Sequence, residues 1–594
     1  MRSILSFFLR TLLCGLVIVL FAGFASAQFK ASVQGTVTDA SGAIIPEATI
    51  TLTSKETNKT QTATASDSGF YRFSGLAPGR YTLSAEQAGF KKSVIDDVVV
   101  SAEEARGVDL VLEAGVVNET VTISDTLTPE LETENANIRG VITTEEVRRL
   151  PQVGRNPYEL VRTAPGVFGD TSRGGPGNRA TFIPGTEEVG GSSNTGVFQT
   201  ENQVQASANG QRVSSNNFSI DGVSVNSLGL GGAAVVTPNQ ESVKEVSVVT
   251  NSYSAEDGRN TGAQIKVVSQ NGTNKFHGSA VFNYSSPKLN SFNKYRGPTT
   301  IAPTRLICQG QEFFASRCPE KVDIFERKFA GSLGGPVIKD KLFFFFSYEG
   351  LRRSSTTFQD LFVETPEFRT YVQSVRPNSL AAQLYSTPGI EPRIVSQGLT
   401  PGGVPNGTAI IGQAGLSYDI GSINRPQGQK IGATQTLDGI PDVTFARVAF
   451  PTSTKGNQYN TRIDYNRGND QFAVSTYFTK LSDFSASRSG RPFQDILFEP
   501  FNSAATLTWI RTISPTLLNE ARFNFTRFHD DEVQSLGEAN LAIPALNTNG
   551  FNFTGGPGLN VPGGGGLNYG IDSALPKILT QNTFEVRDTL TWVR

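Results

Sequence analysis

The side chains best suited to chemistry in this sequence are its two histidines, three cysteines and 54 acidic residues. His277 and His529 lie far apart. Neither stands in an H-E-x-x-H helix or beside a nucleophile–acid pattern, so zinc-type and serine-type hydrolysis have no candidate residues. Gly563 to Gly566 is a glycine run without the Lys-Ser/Thr that a phosphate loop requires. Carboxylates are plentiful, but no spacing singles out an acid/base pair. Asn-x-Ser/Thr matches such as Asn217 arise often by chance and carry no weight. Cys14 falls inside an apolar leader, which leaves Cys308 and Cys318. In an oxidising exported compartment these two can close a short loop as a disulfide, worth about 3 kcal/mol. A metal pair is disfavoured, because neither histidine is near them in sequence. The sequence therefore offers no catalytic residue, no metal ligand set and no cofactor motif.

What such a chain does must follow from what its strands enclose. The run from Ser242 to Tyr284 is the most informative. Val243, Val246 and Val248 lead into an Asn, Ser, Asp and Gly cluster, which predicts a strand entering a turn. Gln264 to Gln270 is a second β-branched strand, closed by Asn271-Gly272. Beyond it Phe276, Ala280, Phe282 and Tyr284 take one face while His277, Ser279 and Asn283 take the other, with Val281 the exception. A period of two ending in aromatics is what a membrane-spanning β-strand needs, with one face in lipid and one in a wet lumen. The same alternation returns in Tyr459, Thr461, Ile463 and Tyr465 against Asn460, Arg462, Asp464 and Asn466. It recurs in Ala521, Phe523 and Phe525 against Glu520, Arg522, Asn524 and Thr526. Further strands are expected at Lys328–Leu333, Leu342–Glu349, Ala505–Ile513 and Thr583–Val593. The long segment from Arg352 to Gly456, rich in Gly, Pro, Ser and Asn, reads as an outer loop with a helix over Pro366 to Tyr385. Ser514-Pro515-Thr516 reads as a short inner turn.

Composition agrees. Hydrophobic residues are 38%, too few for a helical membrane protein, and a β-barrel hides its apolar residues in alternation. A net charge of −2 excludes a nucleic-acid-binding surface. Arg2 and Arg10 flank a short basic region, Thr11 to Phe24 is apolar, and Ala25-Ser26-Ala27 forms an A-x-A site. That is a secretory signal over residues 1–27, with a retained anchor as the alternative.

The two sides of the Thr273 junction resemble the TonB-dependent outer-membrane transporters, in particular the Oar-like branch. The matching residues are Glu245-Val246, Tyr253-Ser254-Ala255-Glu256, Gly258, Gly262-Ala263, Gly272-Thr273-Asn274 and Phe276-His277-Gly278-Ser279, with Asp257 at a variable place. Leu150-Pro151, Gly154-Arg155-Asn156, Thr163-Ala164-Pro165-Gly166-Val167, Asn209-Gly210-Gln211-Arg212 and Phe218 to Val223 are similar to the family's plug. Lys328 to Lys341 and Phe344 to Arg352 look like one of its hairpins. Near the start, Gly35 to Asp39, Asp67-Ser68-Gly69-Phe70-Tyr71 and Leu76 to Leu83 resemble the carboxypeptidase regulatory-like domain, which implies a transthyretin-like or carbohydrate-binding-like sandwich without peptidase activity.

The expected protein is mostly β. Residues 28–114 form the sandwich and residues 115–137 a connector. An α+β plug occupies 138–274, and 275–594 hold the first part of a large transmembrane antiparallel β-barrel. About eight strands cannot enclose a plug, and the alternation is still running at Thr591-Trp592-Val593-Arg594. The sequence is therefore expected to be the amino-terminal portion of a larger transporter, for which the resemblance implies about twenty-two strands. Thr143 with Glu146 predicts a capped helix at the start of the plug. Glu119, Thr120, Val121, Thr122, Ile123 and Ser124 resemble the TonB box, a short β-prone piece that adds to a partner's sheet edge. An eighth sandwich strand, or plain linker, is the alternative for the same residues. The resemblance implies residence in the outer membrane, with sandwich and plug on the periplasmic side. It also implies a TonB-type energy-transducing complex, outer-membrane lipid, and a small-molecule, glycan or peptide ligand as partners. The competing function is an adhesion or structural surface protein that binds carbohydrate or protein through its loops and sandwich.

Overall fold

The computed structural model describes residues 31–115, 120–124, 137–169, 197–289, 305–308, 311–314, 323–397, 413–414, 417–418, 439–534 and 576–592, except 103, 151, 153, 205, 252–256, 258–259, 487–488 and 515. The expected leader at residues 1–27, Glu119 and Cys318 lie outside the described residues. The chain is β-rich throughout, and it falls into three successive parts.

The first part is a sandwich of β1 (Ser32–Asp39), β2 (Thr49–Ser54), β3 (Thr60–Thr64), β4 (Phe70–Ser74), β5 (Gly79–Glu86), β6 (Lys92–Val100), β7 (Ala105–Gly107), β8 (Leu110–Leu112) and β9 (Thr120–Ser124). One sheet holds β4, β1, β7 and β8, and the other runs β3-β2-β5-β6-β9. Val33, Ile50, Leu52, Leu83 and Leu110 fill the space between them, each contributing about 1.5–3 kcal/mol by leaving water. Tyr71 Oη donates to the Val108 carbonyl at 2.5 Å, which satisfies the one polar atom of a large buried ring. The turn glycines fall where expected, with Gly42 and Gly69 at positive φ.

The connector differs from a free tether. Thr120 to Ser124 pair in parallel with Lys92 to Asp96 as the edge strand of the five-stranded sheet. The physical reason is that β6 otherwise leaves a row of unpaired backbone groups, which a nearby Thr/Val/Ile segment satisfies.

The middle part is a mixed five-stranded sheet ordered β10-β15-β16-β13-β14, from β10 (Ile138–Thr143), β13 (Asn217–Ile220), β14 (Val223–Ser224), β15 (Val243–Asn251) and β16 (Gln264–Ser269). Beside it β11 (Val167–Gly169) pairs with β12 (Ala206–Ala208). Helix α1 (Thr144–Arg149) carries the expected capping box, with Thr143 and Glu146 bonded reciprocally. Asp221 and Gly222 join β13 to β14, both at positive φ, as a tight two-residue hairpin requires.

The last part is one large antiparallel sheet. Its eight long strands follow in chain order: β17 (His277–Ser285), β20 (Asp323–Ile338), β21 (Leu342–Glu364), β25 (Val443–Arg467), β26 (Asp470–Ser485), β28 (Phe501–Ser514), β29 (Leu517–Gln534) and β30 (Lys577–Trp592). The short β22 (Ile394–Gln397), β23 (Gln413–Ala414), β24 (Ser417–Tyr418) and β27 (Ile496–Phe498) add to it, and β18 (Arg305–Cys308) forms a separate hairpin with β19 (Gln311–Phe314). Short turns join β20 to β21, β25 to β26 and β28 to β29, all at one end. The connections at the other end span 286–322, 365–442, 486–500 and 535–576. Such asymmetry is that of an outer-membrane barrel, short turns inside and long loops outside.

Alternation sorts the side chains as expected. Phe276, Phe282, Tyr459, Ile463, Phe472, Phe478, Leu507 and Phe523 are exposed on the outer face, whereas Gln458, Asn460, Glu520, Arg522 and Asn524 are buried on the inner one. Within the four-phenylalanine run, Phe343 and Phe345 are buried inward, and Phe346 is exposed outward. Two expectations need correction. The supposed loop from Arg352 to Gly456 is strand at both ends, because Arg352 to Glu364 pair in register with Lys455 to Val443. The helix over Pro366 to Tyr385 is two, α2 (Pro366–Val375) and α3 (Leu380–Tyr385). Pro377 lacks the N–H that would carry a helix through, and Ser379 caps the second one.

Candidate functional site

The inner face of the large sheet is wrapped onto the middle domain. Tyr477, Ala504 and Phe528 of the sheet share one hydrophobic core with Phe218, Val236 and Ile265. Around that core the contact is polar, and it concentrates in two clusters.

The first is built on Glu241, which sits in a single helical turn whose preceding Asn239 accepts a hydrogen bond from the Ser242 amide at 2.9 Å. Arg155 Nη2 meets Glu241 Oε1 at 3.2 Å and Arg148 Nη2 meets its Oε2 at 3.3 Å. Arg155 Nε reaches across to Glu349 Oε1 on β21 at 3.3 Å. Ser279 on β17 donates to Glu241 and contacts Ser332 on β20 at 2.7 Å. Arg155 is held at φ 54°, in the left-handed region, between Gly154 and Asn156. A non-glycine residue stays there only when its surroundings over-determine it, and the paired carboxylates do so.

The second cluster centres on Asp221 at the β13–β14 turn. Its carboxylate accepts from the Ser269 amide at 2.9 Å, from Ser269 Oγ at 2.7 Å and from Ser475 Oγ on β26 at 3.0 Å. Arg462 on β25 lies 3.4 Å from it and is also paired with Asp464 at 2.9 Å. Arg522 on β29 donates to the Asp221 carbonyl at 2.8 Å. Both clusters join a buried ion on the middle domain to partners on the sheet. Removing one partner of such a pair costs about 3–5 kcal/mol. The middle domain is thus fastened by discrete polar locks set around a shared apolar patch.

A third contact set fixes the sandwich against the middle domain and against the end of the sheet that carries the tight turns. The Ala102 amide donates to Glu245 Oε1 at 2.9 Å, and Arg139 donates to the Ala102 carbonyl at 2.7 Å. Lys244 bridges Glu56 and Asn271 at 2.7 and 2.8 Å. Asp340, in the β20–β21 turn, accepts from Asn58 at 3.1 Å and Asn274 at 2.7 Å. Burial pushes the Glu245 carboxyl up to about 7, against the pull of the Ala102 amide and Arg139.

Of the residues singled out in the sequence, Thr120 to Ser124 lie on the sandwich edge, away from both clusters. Cys308 ends β18 opposite Gln311. Among the described residues no group of three or more His, Cys, Asp or Glu could hold a metal ion. Asp221, Glu241, Arg155 and Glu349 were not marked as a site. Alternation does assign Arg462 and Arg522 to the inner face, and the Asp-Gly pair does mark the turn. The contacts of Arg155 with Glu241 and of Arg522 with Asp221 span 86 and 301 residues in sequence.

Residues 268–594, more than half of the chain, match the family described as Outer membrane beta barrel domain. Residues 32–113 match the Carboxypeptidase regulatory-like domain. The chain is 29% identical over 352 residues to the TonB-dependent transporter Oar of Myxococcus xanthus, covering 58% of this chain and 29% of that protein. Among solved structures it is similar to the outer membrane transporter YddB from Escherichia coli, at 11% identity and a TM-score of 0.38, over 67% of this chain and 40% of that one. It is also similar to the ferric enterobactin receptor of Pseudomonas aeruginosa, at 9% identity and a TM-score of 0.36, over 76% and 45%. The chain therefore spans 29% of the length of the curated relative it matches. These relatives are transporters and receptors rather than enzymes. With a carboxypeptidase regulatory-like sandwich ahead of a lipid-facing antiparallel sheet, the chain belongs to the outer-membrane β-barrel family, and its place is the outer membrane.

Proposed function

We propose that the protein imports a ligand across the outer membrane, driven by a TonB-type complex that engages Glu119 to Ser124, and that it catalyses no reaction. In this reading residues 1–27 are a cleaved leader, 28–114 the sandwich, 115–137 the segment bearing the TonB box, 138–274 the plug and 275–594 the barrel portion. The observation that carries it is the polar fastening of the middle domain inside the sheet by Arg155, Glu241 and Glu349 and by Asp221, Arg462 and Ser475. Polar locks can open into a wet lumen, and the apolar surface uncovered on the sheet centres on the patch of Tyr477, Ala504 and Phe528, so a pull on the middle domain can free a path. Short turns mark the periplasmic side of such barrels, and the sandwich sits at that end. Strand β9 would then face the compartment where an energy-transducing partner works. One edge of β9 pairs with β6, and among the described residues no strand pairs with the other, which suits strand addition. The ligand is a small molecule, glycan or peptide.

The test is a disulfide cross-link in cells between a cysteine at Thr122 and cysteines in the TonB-type partner. Val121→Pro removes a backbone donor from the strand and should abolish the cross-link and energised uptake while membrane assembly persists. Thr126→Pro, beyond the box, should leave both intact. An undiminished cross-link in the Val121 variant removes this assignment of the box. No cross-link and no energised uptake in the unaltered protein would favour surface adhesion instead.

A further inference from the structure

Between the sandwich and the tight-turn end of the sheet lies a cavity of about 280 Å³. Lys59, Gln61, Arg72 and Ser74 of the sandwich line one side, and Asn469 and Thr512 of the turns line the other. Two of its lining residues are cationic and none is acidic, although the chain as a whole carries a slight negative charge. Most of the remaining polar lining is hydroxyl or amide, which can donate.

Lys59 is the informative residue. Its ammonium is buried and has no hydrogen-bond partner. Burial pulls its pKa down to about 8, with Asp470 opposing, so it is still mostly charged at neutral pH. Asp470 is itself engaged, accepting from Trp509 Nε1 at 2.9 Å and lying 3.8 Å from Arg511. A buried ammonium without an acceptor is unfavourable, and an anion in the adjoining cavity would supply the missing partner as a charge-assisted bond. Two cations on one wall, facing several hydroxyl donors, match a tetrahedral oxyanion with more than one charged oxygen.

We propose that this cavity is a phosphate-group site formed jointly by Lys59 and Arg72 of the sandwich and by the barrel turns. Occupancy would tie the sandwich to the sheet through the anion. The group can come from free phosphate or from a phospholipid headgroup, since the cavity lies at the end of the sheet where lipid-facing strands turn.

Titration of the full-length, dodecyl-maltoside-solubilised protein with inorganic phosphate, followed by phosphorus NMR and calorimetry, tests the free-ion source. Thermal unfolding in phosphatidylglycerol nanodiscs, compared with dodecyl maltoside micelles, tests the headgroup source. Lys59→Met should weaken phosphate binding, or reduce the nanodisc stabilisation, at least tenfold in apparent affinity, and Lys59→Arg should restore it. Gln61→Glu places a carboxylate in the wall at nearly constant volume and should weaken binding to a similar extent. Phosphate binding in micelles identifies the free ion, and a Lys59-dependent effect confined to nanodiscs identifies the headgroup. Equal behaviour of the unaltered protein, Lys59→Met and Gln61→Glu in both arms overturns the proposal.

Discussion

At the scale of single residues, the buried acids of the middle domain carry the predictions. Glu245 has an ordinary value of 4.5 and is pushed up to about 7 where the sandwich docks. A carboxyl raised in the folded state releases its proton more readily when unfolded. Its stabilising contribution is therefore complete below about pH 4.5 and is lost as pH rises through about 7, by about 3 kcal/mol. Arg139, Lys244 and Glu104 are the charged groups around it. Glu245→Gln should flatten the fall in thermal midpoint between pH 5 and pH 8, read by differential scanning calorimetry, and an unchanged slope would assign that dependence elsewhere. Arg155→Ala leaves Glu241 with one cation fewer and Glu349 without this partner. The expected loss is about 3–5 kcal/mol, seen as faster proteolysis of residues 138–269 while the heat-stable mobility of the sheet is kept. None of these pairings was legible in the sequence, because each joins strands whose order in space is not written locally. Thr143 and Glu146 were legible, since a capping box needs only three residues of separation.

Among the elements, alternation was the most informative signal, and it failed only where it was interrupted. Val281 breaks the outward pattern of β17 because it is an apolar residue on the inner face, half buried between Ala280 and Phe282. The strand ends of β21 and β25 were misread as loop because the Gly, Pro, Ser and Asn of the segment between them masked their own apolar residues, such as Phe358, Phe362, Phe445 and Val448. Their pairing with each other, from Thr356 with Pro451 to Glu364 with Val443, overrides that composition. The TonB-like segment was read with two alternatives, and backbone pairing with β6 places it on the sandwich. Between the middle domain and β17, Gly272 passes against the sheet so closely that a Cβ would lie 2.4 Å from the Phe344 carbonyl oxygen. Gly272→Ala must displace β21 or the junction itself. We expect a marked drop in the yield of folded protein in the outer membrane, with any survivor losing the Lys244–Asn271 contact. Normal yield and thermal stability would show that the junction relaxes freely.

For the whole molecule, the arrangement of turns and loops predicts the orientation. Cysteines at Ser41 in the sandwich and Asn378 between α2 and α3, in a background with Cys308→Ser and Cys318→Ser, should differ sharply toward a membrane-impermeant maleimide. Intact cells should label only the position at 378, and permeabilised cells both. Labelling of the Ser41 position in intact cells would invert the orientation. The length of β25 has a separate consequence. Its 25 residues extend about 80 Å along the strand, or about 60 Å along a barrel axis at the usual tilt, whereas the hydrocarbon layer is only about 30 Å thick. Roughly half of the β21–β25 pair therefore projects beyond the lipid as a braced mast. Its tip is stiffened by Arg491 against Glu364 at 2.5 Å and by the Leu361, Val363, Ala446 and Val448 cluster. A bacteriophage or an antibody approaching the cell would meet this rigid mast before it met the membrane, so selection by such predators would act on the outermost residues of β21 and β25 and leave the lipid-facing aromatics untouched.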